Sequence, residues 1–260
     1  MKAHAKINLA LVVGPLRDDG KHEVVTVLQR LDLADEVTLE ASERLGVDGF
    51  DADTIVRAAL ESIAAAAGVE PRWRVQVEKR IPVAAGLGGG SSDAAAALLL
   101  ANERLPEPLA DEQLRKLASS LGADVPFFLT HGPQLGTGDG STLQRIDLRQ
   151  DYNVLLLLPS GVAKESTAAV YARFDREERF EQRRKYLHEA LARGDLASLP
   201  PNDLASSPLA ARLAELGAFR ADVSGAGPAV YGLFDDADQA ERAAAAVAGL
   251  GRTVTVAPAW

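Results

Sequence analysis

The stretch from Pro82 to Ala101, PVAAGLGGGSSDAAAALLLA, joins four glycines (Gly86, Gly88, Gly89 and Gly90) to two serines, an aspartate and an alanine-rich run. Glycine lets the backbone turn sharply and approach a ligand, because no Cβ intervenes. A helix that starts directly after such a loop presents unpaired N–H groups and the positive end of its dipole. Together these make an anion site suited to the phosphates of a nucleotide. The backbone amides of Gly88 to Ser92 would hold the α- and β-phosphates, and the hydroxyls of Ser91 and Ser92 could donate to phosphate oxygens or reach a magnesium ion. The plain alternative is a glycine-rich turn capped by serine, but five small residues ahead of a strong helix are more than a cap requires.

Two common nucleotide loops are excluded. A G-x-x-x-x-G-K-[ST] loop fails because Gly14 and Gly20 are one residue too far apart and Lys21 is followed by His22. A G-x-G-x-x-G fingerprint begun at Gly86 ends on Ser91, and one begun at Gly88 ends on Asp93.

Several elements must position this loop. Ala5, Ile7, Leu9, Leu11 and Val13 alternate on one face of a strand, which puts Lys6 and Asn8 together on the other. Glu23 to Leu31, Glu36 to Ala41 and Arg74 to Lys79 read as further strands. Helices are expected over Asp53 to Ala67, Ser92 to Arg104 (with Ser91 or Ser92 as N-cap) and Asp111 to Leu121, the last stopped by Gly122. Gly132 to Gly140 reads as a loop or hairpin. A second region begins near Asp151: a strand at Tyr152 to Leu158, helices at Ser166 to Phe174, Arg176 to Arg193 and Asp203 to Leu216, strands at Ala221 to Ser224 and Ala229 to Phe234, a helix at Ala237 to Ala248 and a strand at Thr253 to Ala257. The fold class is α+β, divided into residues 1–150 and 151–260.

Composition narrows the function. The 260 residues can bury a sizeable core, and a net charge of −9 disfavours non-specific nucleic-acid binding. With no cysteine there is no disulfide, thiolate metal site or cysteine nucleophile. The apolar N-terminal stretch is broken by Lys6 and Asn8, so it reads neither as a membrane span nor as a signal peptide, and a cytoplasmic protein is expected. His131 and His188 share no metal-ligand spacing with other histidines.

Pro82 to Ala95 resembles the P-x-x-x-G-L-G-x-x-S-S-x-x-A signature of the GHMP small-molecule kinases. Ala5-Lys6-Ile7-Asn8-Leu9, Gly20-Lys21-His22-Glu23, Leu121 to Leu129 (LGADVPFFL), Asn202-Asp203-Leu204 and Ser224 to Pro228 are similar, in order, to segments of the branch that acts on a cytidine-diphosphate-linked methylerythritol. The resemblance implies a ribosomal-protein-like N-terminal domain and a ferredoxin-like C-terminal domain. It also implies an ATP-dependent kinase of the non-mevalonate isoprenoid route, with Mg2+ as cofactor, a small-molecule partner, no nucleic acid or membrane partner, and a monomer or homodimer. ATP would be cradled by Pro82, Val83, Ala84, Ala85, Gly86, Leu87, Gly88, Gly89, Gly90, Ser91, Ser92 and Asp93. Asp124 would be the catalytic base and Lys6 its electrostatic partner; by position alone Asp124 is a turn residue and Lys6 an edge-strand lysine. Asn8, His22, Gly136, Thr137, Gly138, Thr167 and Tyr171 would meet the substrate, with His22 reading the cytosine and Tyr171 stacking on it. Without the resemblance, His22 is a loop histidine and Tyr171 packs in the core, while Gly225 to Gly227 is either a second site loop or a plain turn. Asp93 suits the helix dipole and reads as structural or as a contact in the metal's shell. The chain departs from the branch at Lys21 (usually tyrosine), His4 (often proline), Thr54 (often asparagine, at the adenine) and Pro228 (usually alanine or cysteine). Lys21 flanks the expected cytidine pocket, so it bears on substrate choice. The alternatives are a GHMP kinase acting on homoserine, a mevalonate derivative or a sugar, and a silent nucleotide-binding relative.

Overall fold

The computed structural model describes every residue except 51–53, 163–165 and 175–176, and omits the side chains of Thr54 and Glu177. The elements run β1 (Lys2–Leu16), β2 (His22–Ala41), β3 (Gly46–Asp48), α1 (Thr54–Ala67), β4 (Trp73–Glu78), α2 (Gly89–Asn102), α3 (Asp111–Leu121), β5 (Gln134–Thr137), β6 (Thr142–Arg145), β7 (Asn153–Pro159), α4 (Thr167–Tyr171), α5 (Phe180–Ala192), α6 (Pro208–Glu215), β8 (Arg220–Val223), β9 (Val230–Phe234), α7 (Ala237–Val247) and β10 (Gly251–Val256). The expected helix starts at Asp53 and Arg176, and the Thr54 side chain, lie outside the described residues.

Two compact units emerge. One comprises Met1–Ala5, Leu33–Val83 and Gly88–His131; the other comprises Lys6–Asp32, Ala84–Leu87 and Gly132–Trp260. The expected cut at residue 150 divides the chain in sequence, whereas in space the long strands β1 and β2 each supply one end to both units.

In the first unit the second half of β2 pairs antiparallel with β4, from Glu36↔Glu78 to Ala41↔Trp73, and β3 runs parallel to β4. β4 alternates strictly: Trp73, Val75 and Val77 are buried while Arg74, Gln76 and Glu78 are exposed. On α1, Val56, Ala59, Leu60, Ile63 and Ala64 are buried, an i, i+3, i+4, i+7, i+8 stripe that faces the core. α2 packs against α1 and has no single stripe, being buried from Ser92 through Leu98 and again at Ala101. Its alanines are small enough for the close packing that such burial on all sides demands.

In the second unit the first half of β2 pairs with β5, and β5 forms a hairpin with β6, which resolves the Gly132 to Gly140 segment as a hairpin. β7 to β10 form an antiparallel sheet in the order β10-β7-β9-β8. Counted along the chain, that is fourth, first, third, second, the order of a ferredoxin-like split βαβ. Ala240, Ala243 and Val247 line the buried face of α7 and pack on Leu155, Leu157, Val230 and Phe234.

Two expectations need correction. Residues 23–41 form one strand, not two. The strand continues through Asp32 to Asp35, and Asp35 is fully buried within it because its carboxylate is satisfied by Lys79 and by the backbone amides of Arg80 and Ile81. The helix expected from Asp203 starts only at Pro208. Ser207 caps it by accepting from the Leu209 amide, and proline suits the first helical position.

Candidate active site

The start of α2 differs from the serine-capped helix expected from sequence. The N-cap is Gly88 at φ 71°, with no side-chain cap, so Ser91 and Ser92 lie inside the first turn. Only glycine adopts that left-handed geometry at little cost, and the glycine run therefore extends the helix backwards. The Ser92 amide donates to the Gly88 carbonyl at 2.9 Å and is thereby withdrawn from any ligand. The amides of Gly88 to Ser91 remain as the donors that an α-helix cannot pair internally. Gly90 is exposed, and a Cβ there would approach Ile55 Cγ2 at 3.8 Å, so the bare backbone leaves a shallow cradle. Ala84, exposed two residues ahead of Gly86, also sits at positive φ (60°), a strained conformation that concentrates at functional loops.

A buried charge cluster anchors this cradle within the first unit. Lys79 Nζ donates to Asp35 Oδ2 at 2.5 Å and to Asp93 Oδ2 at 2.6 Å, and both carboxylates are fully buried. Asp35 Oδ1 accepts from the amides of Arg80 (2.5 Å) and Ile81 (2.7 Å). Burial works against the charge on Lys79, but the two carboxylates outweigh it and hold the ammonium's pKa above the ordinary lysine value. The end of β2, the end of β4 and the second turn of α2 are thus tied at one point. Asp93 is committed to that structural knot.

In the second unit, Lys6 and Asn8 share the face that the alternation assigned them, yet that face is buried: Lys6 is 3% exposed and Asn8 5%. Lys6 Nζ donates to Asn8 Oδ1 at 2.7 Å, Asn8 Nδ2 donates to Thr26 Oγ1 at 2.8 Å, and the Thr26 hydroxyl donates to Ala10 O at 2.8 Å. This relay fixes the ammonium. It also makes Asn8 a partner of Lys6. The Ser224–Gly225 turn closes against the same residues. The Ser224 hydroxyl donates to Gly86 O at 2.9 Å, and a Cβ on Gly225 would stand 3.4 Å from Asn8 Oδ1 and 3.8 Å from Lys6 Nζ. Gly86, at φ 82°, could not carry a side chain, because a Cβ would meet Ser224 O at 2.4 Å.

The structure brings His22 and Tyr171 together. Their rings stack 5.8 Å apart at 28°, and Phe174 meets His22 edge-on at 5.7 Å. His22 Nδ1 lies 2.8 Å from the Gly14 carbonyl; a carbonyl only accepts, so Nδ1 carries the proton in that bond. Tyr171 and Phe174 pack on Leu11, Val13 and Val24, so Tyr171 also has a core contact. The β5–β6 hairpin is largely committed to structure. Gly136 is buried opposite Thr26, the Thr137 hydroxyl points to Thr142 O at 3.4 Å, and the Gly138 amide donates to Glu23 Oε1 at 3.1 Å. Glu23 Oε2 in turn takes Arg17 Nη1 at 2.8 Å. Lys21 reaches over the hairpin to Asp139 at 2.5 Å. Thr167 is exposed at the start of α4, behind the Ser166 cap. Asp124 is half-buried between Gly122, which caps α3, and the 3-10 turn Pro126–Leu129, with Val125 and Phe127 fully buried beside it.

Thr26, Lys79 and Asp35 were not singled out by sequence, and Glu23 only as the end of the Gly20–Glu23 segment. Nothing in an alternating strand marks Thr26; cross-strand register alone supplies its partners. An aspartate within an apolar strand followed by a lysine at the end of its neighbour is the kind of signal that could have found the Asp35–Lys79 pair.

The family model for the GHMP kinases N terminal domain matches residues 54–132, and that for the GHMP kinases C terminal domain matches residues 177–252. A curated relative from Rhodococcus jostii (strain RHA1), 4-diphosphocytidyl-2-C-methyl-D-erythritol kinase, is 38% identical over 99% of this chain and 91% of its own length. The protein of the same name from Desulfitobacterium hafniense (strain Y51) is 38% identical over 94% of this chain and 90% of its own. A crystal structure of 4-(cytidine 5'-diphospho)-2C-methyl-D-erythritol kinase superposes with a TM-score of 0.85 at 34% identity, covering 100% of this chain and 99% of that one. Homoserine kinase from Cytophaga hutchinsonii, at 16% identity and a TM-score of 0.73, shares the fold.

Proposed function

The chain belongs to the 4-diphosphocytidyl-2-C-methyl-D-erythritol kinase family of the GHMP kinases, and from that membership we propose that it transfers the γ-phosphoryl group of ATP to the 2-hydroxyl of 4-diphosphocytidyl-2-C-methyl-D-erythritol in the non-mevalonate isoprenoid route. The observation that carries the reading is the 38% identity to the Rhodococcus jostii enzyme over 99% of this chain. Phosphoryl transfer needs little covalent help from the protein; it needs positioning and stabilisation of charge. The amides of Gly88 to Ser91 at the start of α2 would take the nucleotide phosphates. Lys6, fixed by Asn8 and Thr26, would offset charge on the γ-phosphoryl oxygens and polarise the attacked hydroxyl. Asp124 would accept the hydroxyl proton; such proton-transfer groups contribute about 10²–10⁴-fold. His22 and Tyr171 would flank the cytosine, one reading its edge and the other stacking on its face.

Mg2+ fits the donor chemistry at α2. It keeps several waters and takes few protein ligands beside substrate phosphates, and the half-buried Ser91 hydroxyl is a hard oxygen in the first helical turn. When bound, it would neutralise charge on the β- and γ-phosphates. Among the described residues no helix is long and apolar enough to cross a membrane.

The test is ATP consumption by the purified chain with the cytidyl substrate beside homoserine, phosphomevalonate and galactose. Turnover confined to the cytidyl substrate is expected. Turnover confined to one of the others would overturn the acceptor assignment and leave the kinase.

A further inference from the structure

The Asn202-Asp203-Leu204 segment has no part in the chemistry above, yet it is among the most heavily bonded stretches of the second unit. Asn202 is buried, and its side-chain amide donates to two carbonyls of the turn beside Lys6: Gly225 O at 2.6 Å and Val223 O at 2.9 Å. Its own backbone amide donates to Asp222 Oδ2 at 2.9 Å. The next residue grips a different element. The Asp203 amide donates to Leu11 O at 2.9 Å, and Asp203 Oδ2 accepts from the Val13 amide at 2.9 Å, both on β1. Arg183 completes the hold on Asp203 through Oδ1 at 2.9 Å. Two consecutive residues therefore hold the strand that carries Lys6 and Asn8 and the turn that closes on them.

A second brace runs parallel. The Tyr231 hydroxyl donates to Leu9 O at 3.2 Å, and Arg220 Nε donates to that hydroxyl at 3.3 Å. Arg220 also donates to the carbonyls of Leu199 (2.6 Å) and Pro200 (3.1 Å), just ahead of Asn202. Burial pushes the Tyr231 phenol up to about 12, so it stays a donor across the working pH range.

We propose that Asn202 is a positioning residue that acts through Lys6: by holding the Val223–Gly225 turn while Asp203 holds β1, it sets the distance between that turn and the Lys6 ammonium. The proposal rests on the kinase reading, in which Lys6 acts on the γ-phosphoryl oxygens. Amide donors are needed at Asn202, because the two groups it faces are carbonyls and can only accept. A shift of about 1 Å in a positioned group costs on the order of 10²-fold in rate.

The experiment is a double-mutant cycle in kcat with Asn202→Ala and Lys6→Ala in the full chain, run on whichever acceptor the wild type phosphorylates. Asn202→Ala is expected to lower kcat about 10²-fold in the wild-type background and less than about 3-fold in the Lys6→Ala background, because groups that act as a unit are not additive. Asn202→Ser keeps one hydroxyl donor and is expected to recover part of kcat, and it serves if the alanine variant does not fold. A purely structural role would lower thermal stability and leave kcat per folded molecule unchanged. Full additivity of the two losses, or kcat within about 3-fold of wild type for both Asn202 variants, overturns the clamp while the kinase reading stands. Full kcat in Lys6→Ala removes the catalytic reading of Lys6 and the clamp with it.

Discussion

Gly86→Ala puts a methyl group against the backbone of the Ser224 turn. At φ 82° an L-residue pays about 1–2 kcal/mol for the left-handed conformation. The new Cβ would also lie 2.4 Å from Ser224 O and 3.0 Å from Gly227 O, both backbone atoms that move only if the turn moves. Forcing such a shift costs typically 1–3 kcal/mol, and it would strain the 2.9 Å bond from the Ser224 hydroxyl to Gly86 O, worth about 1 kcal/mol. The sum is roughly 3–6 kcal/mol, at the upper end of what a single substitution removes. Gly20→Ala supplies the control. Its φ is 77°, and a Cβ there would find nothing within 4 Å, so it carries the conformational cost alone. Urea unfolding of both variants separates the two contributions. Gly86→Ala should lose at least about 2 kcal/mol more than Gly20→Ala, and, with the loop holding the nucleotide phosphates as proposed, its KM for ATP should rise as the loop is displaced. Equal losses in the two variants would refute the packing of this loop against the Ser224 turn.

Lys79→Met leaves Asp35 and Asp93 buried without their shared cation and is expected to cost about 3–5 kcal/mol, read by urea unfolding at neutral pH; a loss below about 1 kcal/mol would show that the cluster is not an anchor. Asp124→Asn should bind ATP with unchanged Kd, measured by calorimetry, and lower kcat by about 10²–10⁴-fold; near-normal turnover removes Asp124 from the mechanism. Asp139 titrates at about 2: burial opposes its charge, but Lys21 and Ser141 overcome that opposition. A folded pKa depressed below the unfolded one means that the ion pair's stabilisation is complete above the ordinary carboxylate pKa and is lost as pH falls towards 2. An NMR titration of the Asp139 carboxyl should give that low midpoint in the wild type and a higher one in Lys21→Ala; an unchanged midpoint would dissociate the pair.

Local pattern determined a good deal of this protein by itself. Alternation after Ala5 placed Lys6 and Asn8 on one face, and Gly122 ended α3, because these properties depend on neighbours a few residues apart. The glycine run marked a backbone free to take positive φ ahead of α2 for the same reason. Tertiary structure decided the rest. Whether the polar face of β1 met water or the interior depended on Thr26, brought there by strand pairing, and on Ser224, more than 200 residues along the chain. Asp35 could lie inside a continuous strand only because Lys79 arrived to neutralise it. The first turn of α2 began at Gly88, not at a serine, because a backbone free to adopt positive φ let the helix grow back towards the loop. Partners distant in sequence satisfy buried charges and amides, and no local periodicity encodes which partners those will be.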